Sequence, residues 1–467
     1  MSDHLCRHRL RPEDLHYSRR QFLARCGMGL GALGLASLLF EEPAAAGLVG
    51  SEGGRTHFPA KAKHVIHIFA EGAPSQVDTW DPKPVLAQYD EQTLPGLSGV
   101  AMPSPFRFTK RGKSGIEVSE VFAALGEHVD DMAIIRSMHT DIPAHDVATV
   151  FMNTGSARAV RPSMGAWLFY GLGSANQNMP GYISLRPKGG VPQGGAVNWG
   201  AGFLPGEYQA TSINTSVTTA AGLIPNIRNE YLSAREQRRQ LDLVQQLNTA
   251  QSKAYPAEPQ LEARIQALEM AYRMQAEATD AFDVSRETEA IREMYGNTSQ
   301  GRQLLMARRL VERGVRFVQV WAGGWDHHED LEDRLPASAR AVDQPAAALL
   351  HDLKQRGLLE STLVIWSGEF GRTVTRDRNG NDNPGRDHNH RAFSLWMAGA
   401  GVKGGTVYGS TDEFGARAVE NKVHIHDLHA TILHLLGFDH EKLTYRHSGR
   451  DFRLTDVYGK VVQGVLA

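Results

Sequence analysis

The 467-residue chain has almost no cysteine: two in all, Cys6 and Cys26, both close to its start. That excludes a small disulfide-stapled scaffold. Charge of one sign is also lacking. Fifty Lys and Arg stand against 52 Asp and Glu, a formal net charge of −2, so there is no electrostatic reason to expect nucleic-acid binding. Long apolar runs are missing too. The charge-free stretch from Cys26 to Phe40 is about 15 residues, marginal for a hydrocarbon core roughly 30 Å thick. With 22% charged and 41% hydrophobic residues, the chain is neither a disordered or collagen-like polymer nor a multi-span membrane protein. Its length suits one large α/β domain or two ordinary ones.

The start of the chain reads as an address. Ser18-Arg19-Arg20-Gln21-Phe22-Leu23 precedes the Gly-, Ala- and Leu-rich stretch, and Ala44-Ala45-Ala46 follows. A basic region, a short apolar run and a small-residue cleavage site make an export signal. The paired arginines point to the twin-arginine route and its machinery. Cleavage after Ala46 would leave a periplasmic or extracellular chain with no stable membrane span and no cysteine. Disulfides, thiolate ligands and cysteine nucleophiles would then be excluded. Residues 47–62 read as a linker.

Further along, His64–Phe69 is a short apolar run that predicts a buried strand. Met132–Arg136, Val315–Trp321, Thr362–Trp366 and Phe393–Ala398 predict others. Arg302–Arg313, Gln344–Lys354 and Ile425–Leu436 predict helices. Residues 160–215, rich in Gly and Pro, read as surface loops. Leu241, Val244 and Leu247, then Leu261, Ile265, Leu268 and Tyr272, recur at helical spacing as core-facing stripes; residues 226–300 read as a helical insertion. Strands alternating with helices imply an α/β fold, a doubly wound, mostly parallel sheet with helices on both faces.

Such sheets bind ligands at the carboxyl ends of their strands. Glu71, Ser75 and Asp78 follow the first strand, Asp326, His327 and His328 follow the Val315 strand, and Glu369 and Arg372 follow the Thr362 strand. Arg386, His388 and His390 precede the Phe393 strand. Carboxylate oxygen and imidazole nitrogen suit a divalent metal, with Zn, Mn or Ca as candidates. Extended residues i and i+2 share a face, so Asp326 and His328 can point together while His327 points away. Arg372 and Arg386 could hold a tetrahedral oxyanion, or each could sit in an ordinary ion pair; Glu369 could pair with Arg372 without any metal. Pro143 predicts a helix starting at His145, which could act as nucleophile, acid/base or ligand. His424, His426, His429 and His434 read as capping or packing histidines.

The order of these segments resembles the alkaline phosphatase and sulfatase superfamily. Asp343–Leu353 with Leu358–Gly371 looks like its helix and strand leading to a metal-binding acid, and Asp427–Gly437 like its late helix. More specific are Gly72–Pro84, Arg161–Gly165, Trp199–Pro205, Trp325–His328, Gly368–Thr373, Gly385–His388 and Gly449–Asp456. These resemble an exported branch, the domain of unknown function 1501 family, over residues from about 57 to 467. The resemblance implies a single domain over 63–467 with a metal-type cleft, acting on a small-molecule or glycan ester. Carried over by position, Glu71, Asp326, His328, Glu369 and His388 are metal-ligand candidates. His145 falls near the superfamily's nucleophile, and Ser75 is a second nucleophile candidate. One imidazole of the superfamily pattern is missing, because Phe370 follows Glu369. None of the 21 prolines has Cys or Ser two residues before it and Arg two after, which excludes formylglycine sulfatase chemistry. A catalytically degenerate protein that binds a glycan, peptide or partner is the alternative. A cytoplasmic mutase shares the fold but not the leader.

Overall fold

A computed structural model describes residues 56–158, 160–186, 191–217, 223, 231–254, 280–377 and 383–467. The leader and most of the linker lie outside them. Eleven strands matter here: β1 His64–Phe69, β2 Met132–His139, β3 Tyr182–Arg186, β4 Thr211–Asn214, β5 Phe317–Trp321, β6 Thr362–Ser367, β7 Gly371–Arg376, β8 Arg386–Asn389, β9 Phe393–Ala398, β10 Thr406–Tyr408 and β11 Val423–His424. Seven helices accompany them: α1 His145–Thr154, α2 Met164–Leu172, α3 Ala234–Ala254, α4 Glu289–Tyr295, α5 Ser299–Glu312, α6 Leu331–Gln355 and α7 Ile425–Leu435.

Among the described residues the main sheet has nine strands in the order β10-β2-β9-β6-β1-β5-β3-β4, with β11 also pairing β2. Its pairings are parallel except where β9 meets β2 and β6. The fold is therefore α/β with a mostly parallel sheet. The single reversed strand matters for the site. The carboxyl ends of β1, β2, β5 and β6 share one edge, and because β9 runs the other way, its beginning lies there too. Hence β8, just before β9, reaches the same edge as the loops after the parallel strands.

The alternation of side chains in the strands separates two cores. Ile66, Ile68, Val318, Val320, Val364 and Trp366 face α5 and α6 on one side of the sheet. Val65, Phe69, Phe317, Trp321, Leu363 and Ile365 face α2 and α7 on the other. Burying each such side chain contributes about 1.5–3 kcal/mol. Among the described residues no helix is long and apolar enough to cross a membrane.

Three local expectations change. α6 runs through Pro336 and Pro345 rather than starting at Gln344, because Leu331, Leu335, Ala339, Val342, Ala346 and Leu350 bury one continuous stripe that outweighs the missing N–H groups. The Gly- and Pro-rich 160–215 region contains α2, β3 and β4. Leu247 of α3, expected in the core, is 58% exposed. Its intended partner stripe, Leu261–Tyr272, lies outside the described residues.

The histidines at α7 cap and pack. His424 and Asp427 form a reciprocal cap at the helix start. His426 and His429 donate from Nε2 to the carbonyls of Gly155 and Met152, each at 2.8 Å. His429, and His67 on β1, are fully buried, and burial pushes both down to about 3. Their ordinary value is about 6.5, so between these values the unfolded chain takes up protons that the fold does not. Stability is thus expected to fall as pH drops below about 6.5, by up to about 1.4 kcal/mol per pH unit for each group. Urea unfolding at pH 7 and pH 5 measures it; equal stability at both would contradict neutral burial of these rings.

Candidate metal centre

The loops leaving β1, β5 and β6 are pressed against one another. Gly72 has φ +108°, and a Cβ there would stand 2.5 Å from the Asp326 backbone nitrogen; only glycine suits both the conformation and the gap. Beneath them Trp80, Phe122, Trp325 and Trp366 pack ring against ring, with Trp80 and Phe122 stacked at 4.8 Å. The β7–β8 ribbon, pairing Arg372 with His388, covers one side, and α1 begins on the other. The floor is Phe370, whose ring lies 4.7 Å from that of His145 and 4.9 Å from that of His388.

Four donors converge on this nest: His145, Asp326, His328 and His388, with one atom of each within 4.8 Å of the others. Around Asp326 Oδ1 stand the Nε2 atoms of His328 at 3.0 Å, His145 at 3.2 Å and His388 at 3.8 Å. The Nε2 atoms of His328 and His388 are themselves 3.0 Å apart. Every one of the three rings is held from behind at Nδ1. His145 Nδ1 meets Glu369 Oε1 at 2.5 Å, His328 Nδ1 meets Asp377 Oδ2 at 2.5 Å, and His388 Nδ1 meets the Pro143 carbonyl at 3.1 Å. In the neutral form, a ring whose Nδ1–H donates to an oxygen turns an acceptor Nε2 toward Asp326. One cation is already present there: Arg372 Nη1 lies 3.3 Å from His328 Nε2 and its Nη2 donates to Asp326 Oδ1, while the Nε2 atoms of His145 and His388 turn toward the same carboxylate. An Nδ1–H bound to a carboxylate or carbonyl is the arrangement found behind metal-ligating histidines.

The electrostatics agree. Burial pulls His145 down, but Asp326 and Glu369 outweigh it and hold the ring up at about 9. Burial raises Asp326, yet His145, His388 and Arg372 keep it well below the usual carboxylate range. The nest favours positive charge, whether a proton or a metal. It opens to solvent through Asp326, whose side chain is 43% exposed, while Glu369 and Arg372 behind it are buried.

The other candidate residues lie outside this group. Glu369 is fully buried under His145 and also accepts from Gly72 N at 3.0 Å. Glu71 stands apart, accepting from Gln193 N at 2.6 Å; burial raises it, and the charge of Glu369 adds to this. Arg372 donates to Asp326 Oδ1 and to the carbonyls of Ala73, Gly72 and Arg386, and its Nη1 also lies 3.3 Å from His328 Nε2, which spends its fork inside the protein. Arg386 is bound to Asp78 through Nε at 2.6 Å and Nη2 at 3.0 Å, and to two further carbonyls. Ser75 donates to the same Asp78 at 2.5 Å. Neither Ser75 nor Arg386 faces the nest. His327 turns away toward Ser338 of α6, at 3.2 Å, as alternation requires. Asp377 carried no motif signal, and only the chain's return beside His328 identifies it.

The model of the family described as "Protein of unknown function (DUF1501)" matches residues 62–466. No curated protein matches the chain significantly. Among solved structures it is similar to the PsFucS1 sulfatase from Pseudoalteromonas sp., at 14% identity and TM-score 0.36, over 81% of this chain and 68% of that one. It is also similar to the lipoteichoic acid synthase LtaP from Listeria monocytogenes, at 10% identity and TM-score 0.35, over 88% and 78%. A third is the phosphonate monoester hydrolase SpPMH from Silicibacter pomeroyi, at 10% identity and TM-score 0.29, over 81% and 74%.

Proposed function

The chain belongs to the DUF1501 family, and from that premise and the nest at the sheet edge we propose that it is an exported, metal-dependent hydrolase or transferase of phosphate or sulfate esters. Formylglycine chemistry is excluded by the absent motif. The carrying observation is the convergence of three imidazole Nε2 atoms on Asp326, each ring held at Nδ1 by an oxygen. His145, Asp326, His328 and His388 would hold the ion. Three imidazoles and one carboxylate suit Zn or Mn; Ca, which wants six to eight oxygens, does not fit. A bound divalent ion supplies Lewis-acid polarisation of the ester oxygen and a more acidic water.

The chain's own groups do the positioning. Glu369 and Asp377 lock the tautomers of His145 and His328, and Arg372 holds Asp326 in place. His145 thus takes the place of the imidazole that Phe370 denies, which favours ligand over nucleophile among its three roles. The leader, residues 1–46, supports delivery by the twin-arginine machinery to the periplasm or beyond, toward a small-molecule or glycan ester.

A second reading, a binder without turnover, is favoured by one observation: Arg372, Arg386 and Ser75, which would grip or attack an ester, are all committed within the protein. Elemental analysis after reconstitution with Zn or Mn, followed by assays with aryl phosphate and aryl sulfate, separates the two. About one tightly held ion per chain with turnover is expected. An ion without turnover supports the binder, and a chain that retains no ion refutes the metal centre.

A further inference from the structure

Three motif segments have no part in the metal centre: Arg161–Gly165, Trp199–Pro205 and Gly449–Asp456. They meet at the far end of α1. Gly155, with φ +66°, lets the helix end press on the Leu454 carbonyl, where a Cβ would stand 2.4 Å away. Gly202, with φ +55°, lets the Trp199–Pro205 loop lie against Arg161, again within 2.5 Å of a Cβ. The depression between them is lined by Thr154, Ser156, Arg161, Phe203, Arg453 and Asp456, among others.

Arg161 is the unusual member. Its guanidinium lies 4.2 Å from the centre of the Phe452 ring and 5.9 Å from that of Phe203. Among the described residues it has no ion pair and no side-chain hydrogen bond. Held by its face, it keeps its in-plane N–H donors free. The nearby acid is neutralised: Asp456 pairs with Arg450 at 2.5 Å. Arg453 spends Nε on the Asp456 carbonyl and Nη1 on Glu441, at 3.2 Å.

We propose that this depression is a binding subsite for a tetrahedral oxyanion group, phosphate or sulfate. A free guanidinium fork on an aromatic support, with Arg453 and the Ser156 hydroxyl also lining the depression, matches that ligand in charge and shape. It lies a helix length from the nest, roughly 14 Å at 1.5 Å per residue from His145 to Thr154. Together with the proposed function, on which this extension rests, it names the substrate class: an extended polyanion, such as a glycan ester with more than one charged group, cleaved at one end and held at another.

Isothermal titration with inorganic phosphate and with inorganic sulfate, on the purified chain and its variants, tests the subsite. Arg161→Met is expected to weaken binding at least about tenfold and Arg161→Lys less; which anion binds tighter distinguishes the two esters. Unfolding midpoints show whether Arg161→Met still folds, and Arg161→Lys keeps the charge if it does not. No binding by the wild type, binding unchanged in Arg161→Met, or binding lost only in Asp326→Ala would each overturn the subsite. Anion binding that depends on Arg161 in a chain that holds no metal would sustain the subsite and refute the proposed function alone.

Discussion

Asp326→Ala is expected to abolish divalent-metal binding and ester turnover together. Asp326 Oδ1 is the hub of the nest, with all three imidazole Nε2 atoms within 3.8 Å of it. Removing it takes the only carboxylate from the four-donor set and leaves three imidazoles. The loss in affinity should exceed the roughly 10–100-fold typical of changes to groups behind the ligands. Glu369→Gln provides that comparison, since it keeps the shape behind His145 but weakens the bond that orients the ring; its cost should fall within that range. The fold tolerates Asp326→Ala because Arg372, though buried, retains the carbonyls of Gly72, Ala73 and Arg386. Titration with Zn or Mn, with aryl ester hydrolysis measured in parallel, reads both effects. Wild-type metal affinity in the alanine variant would place the ion elsewhere.

Arg386→Met is expected to destabilise the protein by about 3–5 kcal/mol while leaving metal affinity unchanged. Arg386 and Asp78 are both fully buried and bound to each other through two hydrogen bonds. Removing one partner strands the other charge in a low-dielectric interior, and such losses fall in this range. Replacing both, as Asp78→Leu with Arg386→Met, should recover much of the loss, because the cost comes from the orphaned charge. Urea unfolding curves of the single and double variants measure this. A loss below about 1 kcal/mol in the single variant would show the pair to be solvated. The outcome also decides a role: the sequence allowed Arg386 either an oxyanion or an ion pair, and the structure gives it the ion pair.

Much of the fold was legible because it is local. β1, β6 and β9 appear where short apolar runs predicted them, with ends matching to within a residue. The start of α1 at His145 follows from Pro143 and the pattern after it. Failures came where distant contacts override local preference. The prolines of α6 are tolerated because a long buried stripe holds the helix, and α2, β3 and β4 form in a region whose Gly and Pro suggested loops. At the site, Asp326, His328 and His388 were legible as polar residues beside strand ends. Their arrangement was legible only in part: Glu369, a ligand candidate on paper, lies behind His145, whose Nε2 faces Asp326.

By itself the sequence determined the family, the α/β class, the absence of thiol chemistry beyond Cys26 and the carboxylate–imidazole set available for a site. These depend on residue identity and on periodicity over a few residues. Only the tertiary structure decided which of those groups meet. The reversed direction of β9 brings β8 to the edge where the parallel strands end. The turns after β1 and β5, allowed by Gly72, bring Asp326 under three rings, and the partners behind each ring decide which nitrogen it presents. Strand direction and hydrogen-bond orientation arise from contacts hundreds of residues apart, such as His145 with Glu369, and no local pattern encodes them.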